Sequence, residues 1–298
     1  MTRFLSCLLI AFTVAHGAEA APAKKAGSTQ AERKPASKGS SKASKGAKGI
    51  AAVPWGTSVA LTADDGVATQ ASWGTAAQAT RAVVLVHDAR ANSAGWRRIA
   101  EAMIAEGWAV LAVDLRGHGA SAFQPARPLQ MVDYQDAGKD IAAAVAHLRG
   151  VGMKQVAIVG VGLGATLALR VAGDDPGITS VVALSPGLNL QGMPLEPLVT
   201  RYGARPLLVV SASGDANGTA GATAAQAAAV GLKEHRVLSA DRGSLSEFQQ
   251  ADPSFARSLT QFVKLGWSNP APPPAPTVQK RVEIKDEGAK AVGKAFGQ

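Results

Sequence analysis

Six short apolar or near-apolar runs recur through the middle of this chain, and segments with helical spacing lie between them. The runs are Val83 to Val86, Ala109 to Val113, Val156 to Val159, Ser180 to Leu184, Leu207 to Val210 and Arg236 to Leu238. Runs of this length without polar alternation fit strands buried on both faces, and the alternation with helices fits a mostly parallel sheet wrapped on both sides. Ahead of them, Ser58 to Thr62 and Ala68 to Ser72 flank the turn Asp64-Asp65-Gly66 as a hairpin, which brings the expected sheet to eight strands. Buried stripes mark helices at Trp96, Ile99, Ala100, Met103 and Ile104, at Ile141, Val145 and Leu148, and at Phe255, Leu259, Phe262 and Val263. Their aromatic residues read as core. About twenty residues separate Leu184 from Leu207, too few for a large cap domain. The expectation is an α/β domain of ordinary size over residues 55–267, and 47% hydrophobic content suffices to fill its core.

The two ends read differently. Arg3, the apolar run Phe4 to Val14 and the small-residue stretch ending Ala18-Glu19-Ala20 have the form of a cleaved secretory signal over residues 1–20, with an apolar run too short to span a bilayer. Cys7 lies inside that signal, so the expected mature chain has no cysteine for disulfides, thiol chemistry or metal ligation. The expected location is secreted or periplasmic. Residues 21–50 are Ala, Lys, Ser and Gly with a net charge of +7, a composition that cannot bury enough apolar surface to order itself. They read as a solvated spacer, with contact to an anionic envelope surface as the alternative. Residues 268–298 hold a proline-rich spacer and a tail. The formal charge of +9 resides in these ends and the central body is neutral overall, so the folded domain offers no bulk electrostatic attraction for nucleic acid.

The opening hairpin, Val-Val-Leu-Val-His-Asp at Val83 to Asp88, and Ala-Val-Leu-Ala-Val-Asp-Leu-Arg-Gly-His-Gly-Ala-Ser at Ala109 to Ser121 carry a resemblance. The chain from about Trp55 to Trp267 is similar to the α/β-hydrolase superfamily, nearest its dienelactone-hydrolase-like and serine-aminopeptidase-like branches. That resemblance implies a G-x-S-x-G nucleophile elbow after the strand at Val156, an acid after the next-to-last strand and a histidine after the last. The elbow here reads Gly160-Val161-Gly162-Leu163-Gly164, so Gly162 stands at the nucleophile position. Glycine has nothing to attack a carbonyl, and it relieves backbone strain of about 1–3 kcal/mol at such a turn. Asp215 occupies the acid position, or serves as an ordinary Asp beside Gly in a turn. Arg242 stands at the histidine position and cannot cycle a proton near neutral pH, though it can hold an anion or pair with Asp215. The implied oxyanion hole uses the backbone N–H of Leu163 and one from the loop at Asp88 and Ala89, donors expected to survive as a cradle for an anion or carbonyl. Asp88, where the family usually has glycine, brings a negative charge to that cradle.

The expected function is therefore that of a pseudoenzyme, binding a small acyl, ester or anionic ligand, or a protein partner, in a cleft lined by Asp88, Ala89, Gly162, Leu163, Asp215 and Arg242. The alternative is an active hydrolase of esters or peptides with a non-standard site. Ser185 is the nucleophile to consider for it, with His235, ahead of the last strand, expected too far away to activate it. His87 and His118 read as loop-bracing residues. A remote alternative is dinucleotide binding, because Gly160, Gly162 and Ala165 also match G-x-G-x-x-A; the acidic residue that should hold a ribose after the next strand is missing, since that strand ends in Ser185-Pro186. No metal-ligand spacing appears among the five histidines, and no cofactor is expected.

Overall fold

The computed structural model describes residues 56–121 and 128–268. The expected signal, the basic linker, Trp55 and the tail beyond residue 268 lie outside the described residues.

Each apolar run falls within a strand, and β3, β4, β5, β6 and β9 are buried on both faces. The elements are β1 (Thr57–Thr62), β2 (Ala68–Thr75), β3 (Arg81–Val86), α1 (Arg97–Ala105), β4 (Ala109–Asp114), α2 (Met131–Asp136), α3 (Gly138–Gly150), β5 (Gln155–Val161), α4 (Leu163–Asp174), β6 (Ile178–Leu184), β7 (Asn189–Leu190), β8 (Met193–Pro194), α5 (Leu195–Tyr202), β9 (Leu207–Ala212), α6 (Ala216–Ala228), β10 (Lys233–Leu238), α7 (Leu245–Ala251) and α8 (Phe255–Ser268). The main sheet has eight strands in the order β1-β2-β4-β3-β5-β6-β9-β10. β1 and β2 form the expected antiparallel hairpin, and β2 pairs antiparallel with β4; every later pairing in this sheet is parallel.

Strand alternation divides the core. Ala82, Val84 and Val86 of β3 face a layer that includes Ile141 and Leu148 of α3, Leu167 of α4 and Tyr202 of α5. Val83 and Leu85 face the opposite layer, with Ile99 of α1, Phe248 of α7 and Phe262 of α8. Between β6 and β9 stand only the small β7–β8 hairpin and α5, so no cap domain covers the sheet there.

β10 begins three residues before the apolar run that announced it, at Lys233. It is an edge strand, and a strand without a second neighbour need not be apolar throughout, so a search for apolar runs finds only its end.

Candidate functional site

In a parallel sheet every strand delivers its last residue to the same edge, which is where such folds build sites. β3 delivers His87 and Asp88, β5 delivers Gly162, β6 delivers Ser185, and the loops after β9 and β10 deliver Asp215 and Arg242. Asp88, Gly162, Ser185, Asp215 and Arg242 line one polar cleft of about 610 Å³, together with Asn217 and Asp241. A second cavity of about 290 Å³ adjoins it, sharing Asp88, Arg90 and Ser244 and walled by Trp96, Val161 and Leu245.

The turn between β5 and α4 has Gly162 at φ +56°, ψ −117°, a conformation strongly unfavourable to residues with a Cβ. Its two flanking glycines serve packing: a Cβ on Gly164 would sit 2.5 Å from the Val86 carbonyl oxygen, and one on Gly160 would overlap the backbone of Gly164. The space a side chain on Gly162 would take is occupied. A Cβ there would collide with the carboxylate of Asp88, whose Oδ1 accepts the N–H of Leu163 at 2.8 Å. Asp88 thus fills the space expected for a nucleophile and consumes a donor expected in the oxyanion hole. It also caps the N-terminus of α4, where a carboxylate is electrostatically favoured. The two departures at Gly162 and Asp88 are sterically one change.

This corrects the expectation of a free cradle: the donor at Leu163 is already satisfied. It also bears on the dinucleotide alternative, since the helix N-terminus that would receive a pyrophosphate holds a carboxylate of the chain itself.

Beneath the cleft lies a dense set of braces. The Leu115 N–H donates to His87 Nε2 at 3.0 Å, and His87 Nδ1 lies 2.7 Å from the Asp88 carbonyl oxygen, so the ring is neutral with its proton on Nδ1. Burial pushes the pKa of His87 down to about 4. His118 spans the Arg116 and Ala89 carbonyls with its two ring nitrogens, at 2.9 and 2.6 Å. The Asp114 carboxylate accepts the N–H groups of Ser93 and Ala120. Arg116 reaches Asp140 and Asp65, each at 2.7 Å, and Asp140 is completely buried. The Arg116 guanidinium holds the Asp65 carboxyl down at about 2, whereas burial raises the pKa of Asp140.

At the acid position, Asp215 is the N-cap of α6 and accepts the Gly218 N–H at 2.9 Å. Both readings of it, cap and cleft residue, describe the same side chain. Arg242 is exposed; its backbone N–H donates to Glu247, and among the described residues its guanidinium pairs with no carboxylate, so the pairing with Asp215 is not formed. Two further expectations need correction. Ala89 does not line the cleft, because its carbonyl is drawn to His118 and its side chain packs on the core. His235 lies within β10 and not ahead of it, and its Nε2 is 2.9 Å from Ser211 Oγ in β9. Sequence reasoning missed the apolar cavity: Trp96 shows a clear buried period, and nothing in that period reveals that the same residue borders a void. Among the described residues no group of three or more His, Cys, Asp or Glu side chains is placed to hold a metal, and no helix is long and apolar enough to cross a membrane.

The family model for serine aminopeptidases (S33) matches residues 77–237, more than half of the chain, from β3 to all but the last residue of β10. The chain belongs to this family. Among solved structures, this S33 domain is similar to the α/β hydrolase GrgF from Penicillium sp. sh18, at 15% identity over 72% of this chain and 99% of that one, with a TM-score of 0.61. An esterase of Pyrococcus furiosus aligns at 18% identity over 70% and 91% of the two chains, TM-score 0.59. An aryl esterase from Burkholderia cenocepacia aligns at 16% identity over 72% and 100%, TM-score 0.57. At these identities the likeness shows the α/β-hydrolase fold. No curated protein sequence matches the chain.

Proposed function

We propose that this S33-family domain is an exported pseudoenzyme whose old active-site cleft binds a small molecule. The single observation that carries the reading is the Asp88 carboxylate bonded to the Leu163 N–H in the space a nucleophile on Gly162 would need. Acyl transfer requires a nucleophile, a base and donors free to meet a developing oxyanion. Here the nucleophile position is glycine, the histidine position is arginine, and the donor at Leu163 already holds a negative group. Asp215 alone keeps its family residue. The anionic ligand drops out of the set first considered, because an anion in the cradle would meet Asp88. The ligand that fits places an apolar portion in the cavity beside Trp96 and a hydrogen-bond donor against the Asp88 carboxylate.

The alternative of an active hydrolase rests on Ser185, which has positive φ and a buried hydroxyl without a partner. That hydroxyl is shut off from solvent against Gly243, and its titratable neighbour is Asp215 with no histidine beside it. The geometry of attack favours the first reading.

The test is hydrolysis of short-chain nitrophenyl esters by protein taken from the envelope fraction, where an intact mass starting at Ala21 checks export. Native protein is compared with a Gly162→Ser, Arg242→His double variant and with a triple variant adding Asp88→Gly, thermal melts confirming that each is folded. Native and double variant are expected to be silent, and the triple to gain on the order of 10²-fold over them as base and nucleophile meet an emptied hole. Turnover by native protein well above a heat-denatured control sinks the pseudoenzyme reading. A double variant as active as the triple shows that Asp88 blocks nothing.

A further inference from the structure

β10 ends the sheet, and among the described residues its outer edge has no partner. The carbonyls of Leu232 and Leu238 accept from Leu207 and Ser213, the β9 side. By alternation, the N–H and C=O groups of Lys233, His235 and Val237 point outward. Exposed edges of this kind are usually guarded by proline, a bulge or a projecting charge. β10 has none of these. Its register with β9 is unbroken over six residues, Lys233 is folded back onto the Gln226 and Ala229 carbonyls, and Arg236 neutralises Glu234 at 2.6 Å. Val230 and Leu232, just ahead of the strand, and Val237 within it are 77%, 48% and 55% exposed. The opposite edge, β1, exposes no large apolar residue.

We propose that β10 pairs antiparallel with β10 of a second copy about a two-fold axis through His235, joining two sheets into one of sixteen strands. The sequence is self-complementary in this register. Glu234 lies opposite Arg236, Leu232 opposite Leu238, and Lys233 opposite Val237, each pair made twice by symmetry. The outward groups fall in the hydrogen-bonded positions. Glu234 and Arg236 fall in the non-hydrogen-bonded positions, where side chains approach most closely and opposite charges stabilise the pair. Moving the axis to residue 234 or 236 sets Glu234 against Glu234 or Arg236 against Arg236, and an axis between residues matches outward groups with inward ones. A centre at Lys233 opposes two lysines, and one at Val237 pairs only Arg236 to Leu238 within the strand, so His235 is the centre that pairs the whole of β10 without a like-charge conflict.

The experiment is sedimentation velocity on the full chain at tens of micromolar. Native protein is expected at twice the chain mass. Glu234→Arg and Arg236→Glu variants are each expected to run as monomers, since both 234–236 cross-strand pairs become like-charged. Mixed in equal amounts, the two are expected to recover the dimer, because the two arginines of one copy then face the two glutamates of the other. Recovery on mixing cannot come from misfolded chains. A monomeric native protein overturns the proposal, as does a dimer that survives either single charge reversal or a mixture that stays monomeric.

Discussion

Two layers at this edge of the sheet, one buried and one facing the cleft, are built in opposite ways. The lower layer, made of His87, Asp114, Arg116, His118 and Asp140, keeps its hydrogen bonds tightly matched, with Arg116 held between Asp140 and Asp65. On the proposed reading, the upper layer has glycine and arginine at two of three triad positions and a carboxylate where the oxyanion hole is expected. The difference follows from burial. A buried polar group that loses its partner keeps the full cost of desolvation, so the lower layer cannot be dismantled one residue at a time. Groups at the mouth face water and can be exchanged without unfolding the domain, and glycine on a strained turn even relieves strain.

The largest expected effect breaks the lower layer directly. Asp140→Ala leaves Arg116 buried with Asp65 as its remaining carboxylate in the cluster, at a cost of about 3–5 kcal/mol, whereas Asp88→Ala frees one helix N–H at an open cleft and costs at most about 1 kcal/mol. Denaturant unfolding of the two variants measures the contrast. Equal losses would show that the two layers are not energetically distinct.

A second effect reads the buried layer by pH. His87 has a folded pKa of about 4 against an ordinary 6.5, so between those values the unfolded chain binds a proton that the native ring refuses. Stability therefore rises with pH through that window, and about 3 kcal/mol is lost as pH falls from 6.5 to 4. Asp65 acts lower: its depressed carboxyl contributes stability above pH 3.8 that is lost as pH falls toward 2. Thermal melts from pH 7 to 3.5, native beside His87→Gln, resolve the first window. A native profile flat between pH 6.5 and 4, or one unchanged by the substitution, refutes the assignment to His87.

How much of this was legible in the sequence follows from the same contrast. The strands could be read because burial on two faces leaves a local signature, and Gly162, Asp215 and Arg242, named from the resemblance, come together in one cleft. The link between Asp88 and Gly162 could not be read, because it joins residues far apart in the chain through a collision visible only in three dimensions. In the sequence Asp88 is a disfavoured charge in an empty cradle; in the structure it is the cradle's occupant. His235 is misplaced by a search for apolar runs because an edge strand tolerates polar residues that interrupt such a run.

The smallest effect concerns Ser185, which belongs to neither layer. It sits at φ +43° with its hydroxyl buried and unpartnered, pressed between Asp215 and Gly243. A nucleophile can bear such strain because the chemistry repays it, but among the described residues no histidine lies beside Ser185. If the residue is only a tight corner after β6, Ser185→Gly removes both the left-handed strain and the unpaired hydroxyl. The greater freedom of glycine in the unfolded chain opposes this gain, and a net stabilisation of about 0.5–1 kcal/mol is left. Chemical denaturation of the variant beside native protein measures the gain, and the nitrophenyl ester assay shows whether any turnover disappears with the hydroxyl. A stabilised variant with unchanged ester hydrolysis leaves Ser185 as a corner of the fold; a destabilised one, or one that loses turnover present in native protein, moves the chemistry of this cleft to β6.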